Sequence, residues 1–545
     1  MSGALTSDER PDEDAEPSAE PADLAVGSFS NNPPWLVDPD AMTWRRGVDQ
    51  LRIEVHDEIP TLLERRRLPP ARRMFSTVRH LGAGLGGWLL SERRQGGSAS
   101  TAALSRRMRV AAERLGPTYI KLGQIISSGE GLFPDELVNE FKRCRDQVPP
   151  ERFAVVREVV EADLGRPLSS VFSSFDRQPL AAASIAQVHR ATLRSGEDVV
   201  VKVQRPSVGE RVHADLRVMA WLAPLLVGRI PIAALANPPA LVELFAETIT
   251  EELDFRLEAQ NMLDVAAVYA ALGQRNFVIP RPHPELVTPR VLVMERLSGF
   301  AFDDALGMKG ADIDTEAVVK GGMIGFLEGT MLYGLFHGDL HSGNLMVLPD
   351  GRTALLDFGI TGRLGEKRRL AFLRLLMGAS MNDVRGQLAA MRDLGALPDD
   401  ADLEGIIRDL DLEGPPVDPT TMSPDELTGE IQRVIKALLG YGARMPKELM
   451  LFVKNLVFLD GAIATLAPDL DLFGEIAEIS IYFATTHGER IAGEVGIDPR
   501  EREMDLSGVK ASFGVDADTA TMTHRQIRQR RAVISERLRQ RPRRR

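Results

Sequence analysis

The chain has 545 residues, 44% of them hydrophobic, and a formal net charge of −12. That is enough for roughly two to four domains' worth of core, or for one large two-lobed domain with extensions. The one cysteine, Cys144, excludes an intramolecular disulfide and any cysteine-cluster metal site, and it fits a reducing cytoplasm.

The charge is uneven along the chain. Residues 8–23 are acidic and rich in Pro, Ala and Glu. Residues 1–40 therefore read as a disordered leader, with Asn31-Asn32-Pro33-Pro34 as a breaker cluster. The first residues are too polar and acidic for a signal peptide. Helical patterning begins near Thr43 and continues to Glu92. Within it, Leu81 to Leu90 reads LGAGLGGWLL, between Arg79 and Arg93-Arg94. Its glycines suit close helix packing, the favoured reading, while the apolar residues between basic flanks also suit a bilayer surface. A Gly/Ser patch at residues 96–100 precedes a helix over Ala102 to Leu115, which Gly116-Pro117 ends. The next helix carries Lys121, Gly123 and Gln124. Lys121 and Gln124 lie three apart and share a face, and on spacing alone both read as surface residues of an amphipathic helix. Cys144 reads as a bystander. Residues 41–150 form one helical extension.

After Pro149-Pro150, Arg152 to Leu164 reads as a helix. Val171-Phe172, Ile185 to Ala191 and Val199 to Val203 read as short strands of a small antiparallel sheet. Ala181-Ala182-Ala183-Ser184 stands where a kinase-like fold has its glycine-rich phosphate-covering loop. Alanines visit positive φ poorly, so this loop should be stiffer and lie less close to phosphates. Lys202, set among valines in VVVKVQRP, would pair ATP phosphates. Helical sequence runs from Val208 to Glu247, followed by EELDFRLEAQNM. On a continuous helix Asp254 and Glu258 would share a face and Glu252 would point elsewhere. One acid is then available to pair Lys202, and another to meet Lys121 or a metal. Val291 to Met294 reads as a strand, and with Glu295 it fits a hinge whose backbone binds adenine. Residues 151–299 make a small lobe with inserted helices.

The chemistry is densest from Phe336 to Gly359, FHGDLHSGNLMVLPDGRTALLDFG. A mostly apolar helix from Thr315 leads into it. Pro349-Asp350-Gly351 marks the turn of a short hairpin between two apolar runs. The hairpin joins two polar loops, which would bring Asp339, Asn344 and Asp357 to one point. One base or orienting carboxylate, one amide oxygen and one metal-binding carboxylate are what phosphoryl transfer with Mg²⁺ requires. Beyond Gly359 the pattern is helical, with an acidic loop around residues 411–425 and an apolar helix from Lys447 to Leu466. Residues 300–490 form a large lobe. Neither Val218 to Val227 nor Leu472 to Ala484 reaches the roughly 20 apolar residues of a span, so no transmembrane segment is expected. Residues 491–545 read as a weakly structured basic tail with room for one basic helix, and carry ten arginines from Arg525 onward. No specific nucleic acid is expected as a partner, because basic and aromatic residues do not interleave.

These residues resemble the UbiB/aarF atypical kinase-like family over roughly Leu115 to Pro468. The KxGQ signature stands as Lys121-Leu122-Gly123-Gln124, and the alanine-rich loop lies in PLAAASIAQVH. Lys202 stands in VKVQRP, and the ExD signature is Glu252-Leu253-Asp254. Glu258 matches the glutamate that pairs with the strand lysine, and FHGDLHSGN and DFG match the catalytic and metal loops. The resemblance implies an α+β, bilobal protein-kinase-like fold with a family-specific N-terminal helical extension. It also implies use of ATP and Mg²⁺, with Lys121 turned towards the ExD acids over the place where a peptide would enter. Expected roles follow: Asp339, Lys202, Glu258, Lys121, Gln124, Glu252 and Asp254 at the catalytic centre, and Asn344 and Asp357 on the metal. Residues Ala181, Ala182, Ala183, Ser184, Lys202, Met294 and Glu295 would lie around the nucleotide. By resemblance the protein would be an ATPase or a small-molecule or lipid kinase supporting isoprenoid quinone or membrane-lipid metabolism. A regulatory scaffold and a Ser/Thr protein kinase are the rivals. A lipid or quinone-precursor ligand, partner biosynthetic enzymes and a peripheral place on the inner face of the cell membrane belong to the same expectation.

Overall fold

The computed structural model describes residues 28–30, 34–35, 42–65, 68–95, 97–127, 134–143, 149–226, 238–274, 276–413, 446–496, 500, 505–512, 515–516 and 518–539, with 422, 426, 433–434, 437–438 and 440–444 between them. Cys144 and most of the loop at 411–425 lie outside the described residues.

The N-terminal extension comprises α1 (Val48–Leu63), α2 (Ala71–Ser91), α3 (Gly97–Leu115), α4 (Pro117–Ser127) and α5 (Asp135–Phe141). The helical stretch expected from Thr43 to Glu92 is divided at Pro69-Pro70, which lack backbone donors and stand immediately before α2. Two of the four glycines in LGAGLGGWLL face α3. A Cβ on Gly84 would lie 3.5 Å from the Arg107 carbonyl, and one on Gly87 would run into the Arg107 guanidinium. Gly82 and Gly86 have nothing within 4 Å.

Next come α6 (Phe153–Leu164), α7 (Leu168–Val171), β1 (Phe172–Phe175), β2 (Ala181–Ala182), β3 (Ala186–Leu193), β4 (Asp198–Gln204), α8 (Val208–Leu226), α9 (Pro238–Glu251), α10 (Phe255–Ala271), β5 (Phe277–Val278), β6 (Pro282–Val287) and β7 (Val291–Glu295). The strands form an antiparallel sheet in the order β1-β3-β4-β7-β6, with β2 against β3. Period-two alternation sets its faces. Val199, Val201 and Val203 are buried with Val156, Val160, Val291 and Val293 in a layer beneath α6, each worth about 1.5–2 kcal/mol on burial. Lys202 is out of phase with these valines and must face the other side, where α10 lies.

The remainder is mainly helical: β8 (Phe300–Ala301), α11 (Ala305–Gly310), α12 (Thr315–Tyr333), β9 (Leu335–His337), β10 (Leu345–Val347), β11 (Thr353–Leu355), β12 (Thr361–Arg363), α13 (Glu366–Ser380), α14 (Val384–Asp393), α15 (Leu403–Leu410), α16 (Lys447–Leu466), α17 (Leu472–Val495), α18 (Ser507–Ser512) and α19 (His524–Arg539). The expected hairpin forms as β10 and β11 in register Met346↔Ala354, turned at Gly351 with φ +83°, a value glycine adopts freely. Phe326 stacks on Phe452, and Phe336 and Phe372 meet the same ring edge-on. The α+β class read from the sequence, a small antiparallel sheet with a mostly helical remainder, is what the chain adopts.

The N-terminal end departs from expectation, and the C-terminal end forms the basic helix that the sequence allowed, docked on the chain. Ser28 and Phe29 are buried rather than part of a loose leader, because an aromatic side chain and a strand-like backbone find partners there. Ser28 donates its N–H to the Ala266 carbonyl (3.3 Å) and accepts from the Ile279 N–H (2.8 Å). Trp35 donates its indole N–H to the Pro282 carbonyl. At the other end, Ile527 and Val515 pack on Phe473. His524 is fully buried and bonds Asp460 at 2.9 Å, so part of the basic tail is a docked helix.

Candidate active site

Lys202 projects from β4 towards α10, and its ammonium lies 2.7 Å from Glu258 Oε1 and 3.2 Å from Asp357 Oδ2. It also sits 5.5 Å from the Phe255 ring, which closes one side of the pair. Burial opposes its charge, but the two carboxylates outweigh it and hold the ammonium protonated above its ordinary range. Glu258 is only 3% exposed. Burial, aided by Asp357, pushes its carboxyl up to about 7 against the pull of Lys202.

Glu252 and Glu258 reach the same place because the acidic segment is not one continuous helix. The chain breaks between α9 and α10, where the Phe255 N–H bonds the Pro289 carbonyl. Asp254 caps α10, accepting from the Arg256 N–H at 3.0 Å and pairing with its guanidinium at 2.7 Å. The shared face expected for Asp254 and Glu258 is therefore replaced. Glu252 turns inward to Lys121 on α4 at 2.8 Å, and Asp254 serves its own helix as an N-cap. Burial raises the Glu252 carboxyl, with Lys121 opposing. Gly359 permits the approach, since a Cβ there would lie 3.2 Å from both Asp357 Oδ1 and Glu252 Cγ. Gln124 is half-buried on the same helix as Lys121.

Asp357 is 44% exposed at its side chain and accepts the Gly359 N–H at 3.0 Å. Withdrawal from bulk water would raise its carboxyl, but the ammoniums of Lys202 and Lys121 hold it down to about 2. Asn344 donates its amide to the Asp339 carbonyl at 3.0 Å, which leaves the amide oxygen as the group suited to a cation. Asp339 pairs with Lys454 of α16. Burial would raise its carboxyl, and Lys454 and Lys121 together hold it well below the usual range.

The alanine loop forms the short β2 strand followed by a tight return, in which the Ala183 N–H bonds the Ala186 carbonyl at 2.8 Å. The buried Arg205 donates to the Ala183 and Pro149 carbonyls at 3.0 Å each. None of residues 181–184 has positive φ, and Ser184 is buried. Met294 and Glu295 end β7. The Glu295 N–H bonds the Arg281 carbonyl at 2.9 Å, and its carboxylate accepts from the Ser30 hydroxyl. The Glu295 N–H is therefore already paired within the sheet.

Three supports escaped the sequence reading. Lys454 pairs with Asp339. Its neighbour Asn455, fully buried, accepts the Leu340 N–H at 3.1 Å and donates to the His337 carbonyl. Asn261 of α10 donates to the Phe358 carbonyl at 2.9 Å and accepts from Arg52 of α1. The signal for the first two was present: a Lys-Asn pair interrupting the apolar run MLFVKNLVFL. Among the described residues α16 alone is long and apolar enough to cross a membrane. In this fold Phe452, Asn455 and Ile463 are buried within the chain, and the helix braces the loop that carries Asp339.

A strand lysine shared by a helix glutamate and a loop aspartate, beside a catalytic-type loop, defines a kinase-like protein. Residues 143–391 match the ABC1 atypical kinase-like domain. An uncharacterized protein of Mycobacterium tuberculosis H37Rv is 36% identical over 68% of this chain and 76% of its own length. A probable protein kinase UbiB of Shewanella loihica is 31% identical over 67% of each. A solved Mycobacterium tuberculosis protein in complex with erythromycin matches 64% of this chain and 91% of its own at 24% identity and TM-score 0.37. The chain belongs to the ABC1/UbiB atypical kinase-like family, and a kinase-like function in general follows from that membership.

Proposed function

We propose that the protein is an atypical kinase-like ATPase, or a kinase of a small molecule or lipid, that uses Mg-ATP in isoprenoid quinone or membrane-lipid metabolism at the inner face of the membrane. The observation that carries the reading is Lys202, held between Glu258 and Asp357 on the face of the sheet that α10 covers. Membership of the family implies ATP and Mg²⁺. The donor set fits a hard cation that needs only one or two protein oxygens beside phosphate, namely the Asp357 carboxylate and the Asn344 amide oxygen. Bound there, Mg²⁺ would neutralise charge on the transferring phosphoryl group.

The chain's own residues do the rest. Lys202 turns its ammonium to the phosphates while Glu258 keeps it in position. Asp339 orients the attacking hydroxyl or water. Lys121 with Glu252 covers the site, and the Arg205-stapled alanine loop closes over the nucleotide. A cover of this kind disfavours a peptide acceptor and supports water or a small acceptor. A second reading, an ATP-binding regulatory scaffold, is favoured by the Lys454–Asp339 pair, since a clamped carboxylate is slow to engage a hydroxyl.

The test is ADP release from the purified chain with Mg-ATP, with and without quinone precursors, beside Asp357→Asn. Turnover that disappears in the variant supports the enzyme. Nucleotide binding without turnover under every condition refutes it and leaves the scaffold.

A further inference from the structure

Helix α2 is apolar on the side turned away from the protein. At 100° per residue, Thr77 and Trp88 mark its buried face. Phe75 and Leu90 lie opposite, at 71% and 87% exposure, and Val78 and Leu89 lie about a quarter-turn round, at 48% and 49%. Gly82 and Gly86, with nothing within 4 Å, leave the middle of that face flat, and Leu68 extends it before the helix at 79% exposure. The helix is about 31 Å long at 1.5 Å per residue. Exposed apolar side chains scattered singly need no explanation, but four on one side of one helix, with Leu68 just before it, do.

The charges decide what covers this face. Residues 71–91 contain no Asp or Glu. Arg72 and Arg79 lie on the Leu90 side of that face, Arg79 between the Phe75 and Leu90 directions, and Arg93 and Arg94 lie beyond the C-terminal end, all exposed. No ion pair among the described residues includes any of the four, and the neighbouring Glu92 is taken by Arg107. A two-fold contact between copies would set these arginines against themselves. An anionic lipid surface takes both parts at once, the apolar strip entering the acyl boundary and the arginines meeting phosphate headgroups. The net charge of −12 makes this local basicity more telling, because the chain as a whole would be repelled.

We propose that α2 is a membrane-docking helix that lies flat on an anionic bilayer with Phe75, Val78, Leu89 and Leu90 inserted. This deepens the membrane part of the proposed function and is independent of ATP turnover. The test is flotation of the full chain, without nucleotide, with vesicles of phosphatidylcholine alone or mixed with phosphatidylglycerol. The intact chain should float with the mixed vesicles and be released by salt. Phe75→Ser with Leu90→Ser should lower partition by about tenfold or more, given the apolar area withdrawn. Arg72→Gln with Arg79→Gln should lower it on mixed vesicles by about fivefold per arginine and leave neutral vesicles unaffected. All four residues are exposed, so unchanged thermal transitions would show that the fold is intact. Absence of flotation by the intact chain overturns the proposal, as does equal flotation by the variants. A dimer in sedimentation that Phe75→Ser with Leu90→Ser converts to monomer also overturns it, by assigning the face to a second copy. Failure here leaves the phosphoryl-transfer reading standing, and loss of ADP release leaves this one standing.

Discussion

Replacing Asn455 by leucine tests whether α16 holds the loop that carries Asp339. The two side chains are close in volume, so packing is largely retained. The Leu340 N–H and the His337 carbonyl, however, lose their shared partner in a fully buried place. Each orphaned backbone group costs about 1–3 kcal/mol. The gain from a larger apolar side chain offsets part of this, and we expect a net loss of about 2–4 kcal/mol. Asp339 lies between the two freed groups, and displacement of a reacting group by about 1 Å costs up to roughly a hundredfold in rate. Denaturant unfolding measures the first effect and ADP release the second. Leu456→Ser, one position along at 41% exposure, is the control and should change stability by less than about 0.5 kcal/mol. If Asn455→Leu matched that control in stability and the wild type in turnover, the bracing of the loop by α16 would be refuted.

Other outcomes follow from named contacts. On the enzyme reading Lys454→Met should lower kcat about tenfold with nucleotide affinity kept, while Lys454→Arg retains most of it, because the cation holds Asp339 in place and does not face the strand lysine; a rise in turnover would instead show that the pair restrains Asp339, as the scaffold reading has it. Lys121→Met should destabilise by about 2–4 kcal/mol through the buried Glu252 it strands, and Glu252→Leu added to it should restore much of the loss in a double-mutant cycle. Burial pushes the His283 imidazole down to about 4, where its Nδ1 accepts the Glu285 and Leu286 N–H groups. The unfolded chain therefore binds the extra proton first. This stability is present above about pH 6.5 and is lost as pH falls towards 4, by about 3 kcal/mol. His283→Gln should flatten the unfolding curve over that window.

Much of the site was legible because its residues form short, local patterns. The hairpin from Leu345 to Leu355 follows from two apolar runs and a Pro-Asp-Gly turn, and Lys202 follows from the alternation of its valines. What stayed hidden depended on long-range geometry. No helical spacing could show that the acidic segment breaks at Glu252, because the break is fixed by the Pro289 carbonyl on a distant loop. Asn455 and Lys454 show in the sequence only as a polar pair interrupting an apolar run, and what they support is set by the return of α16 beside the loop after Phe336. Phe29 and Trp35 lie in a segment whose composition is that of a disordered chain. Their placement is set by partners about 250 residues away, Arg281 over the Phe29 ring and the Pro282 carbonyl for Trp35.

Those separations also set an order of events during synthesis. Ser28 and Ser30 are among the first described residues to leave the ribosome, yet their partners Gln274 and Glu295 follow 246 and 265 positions later. At about 5–20 residues per second, the N-terminal segment waits roughly 10–50 s before it can be placed. The loop around Asp339 waits again, for a Lys454 that lies 115 positions on. The nascent chain thus completes its sheet well before its chemistry. An apolar α2 is exposed for the whole interval, and a nearby bilayer could receive it before the site exists.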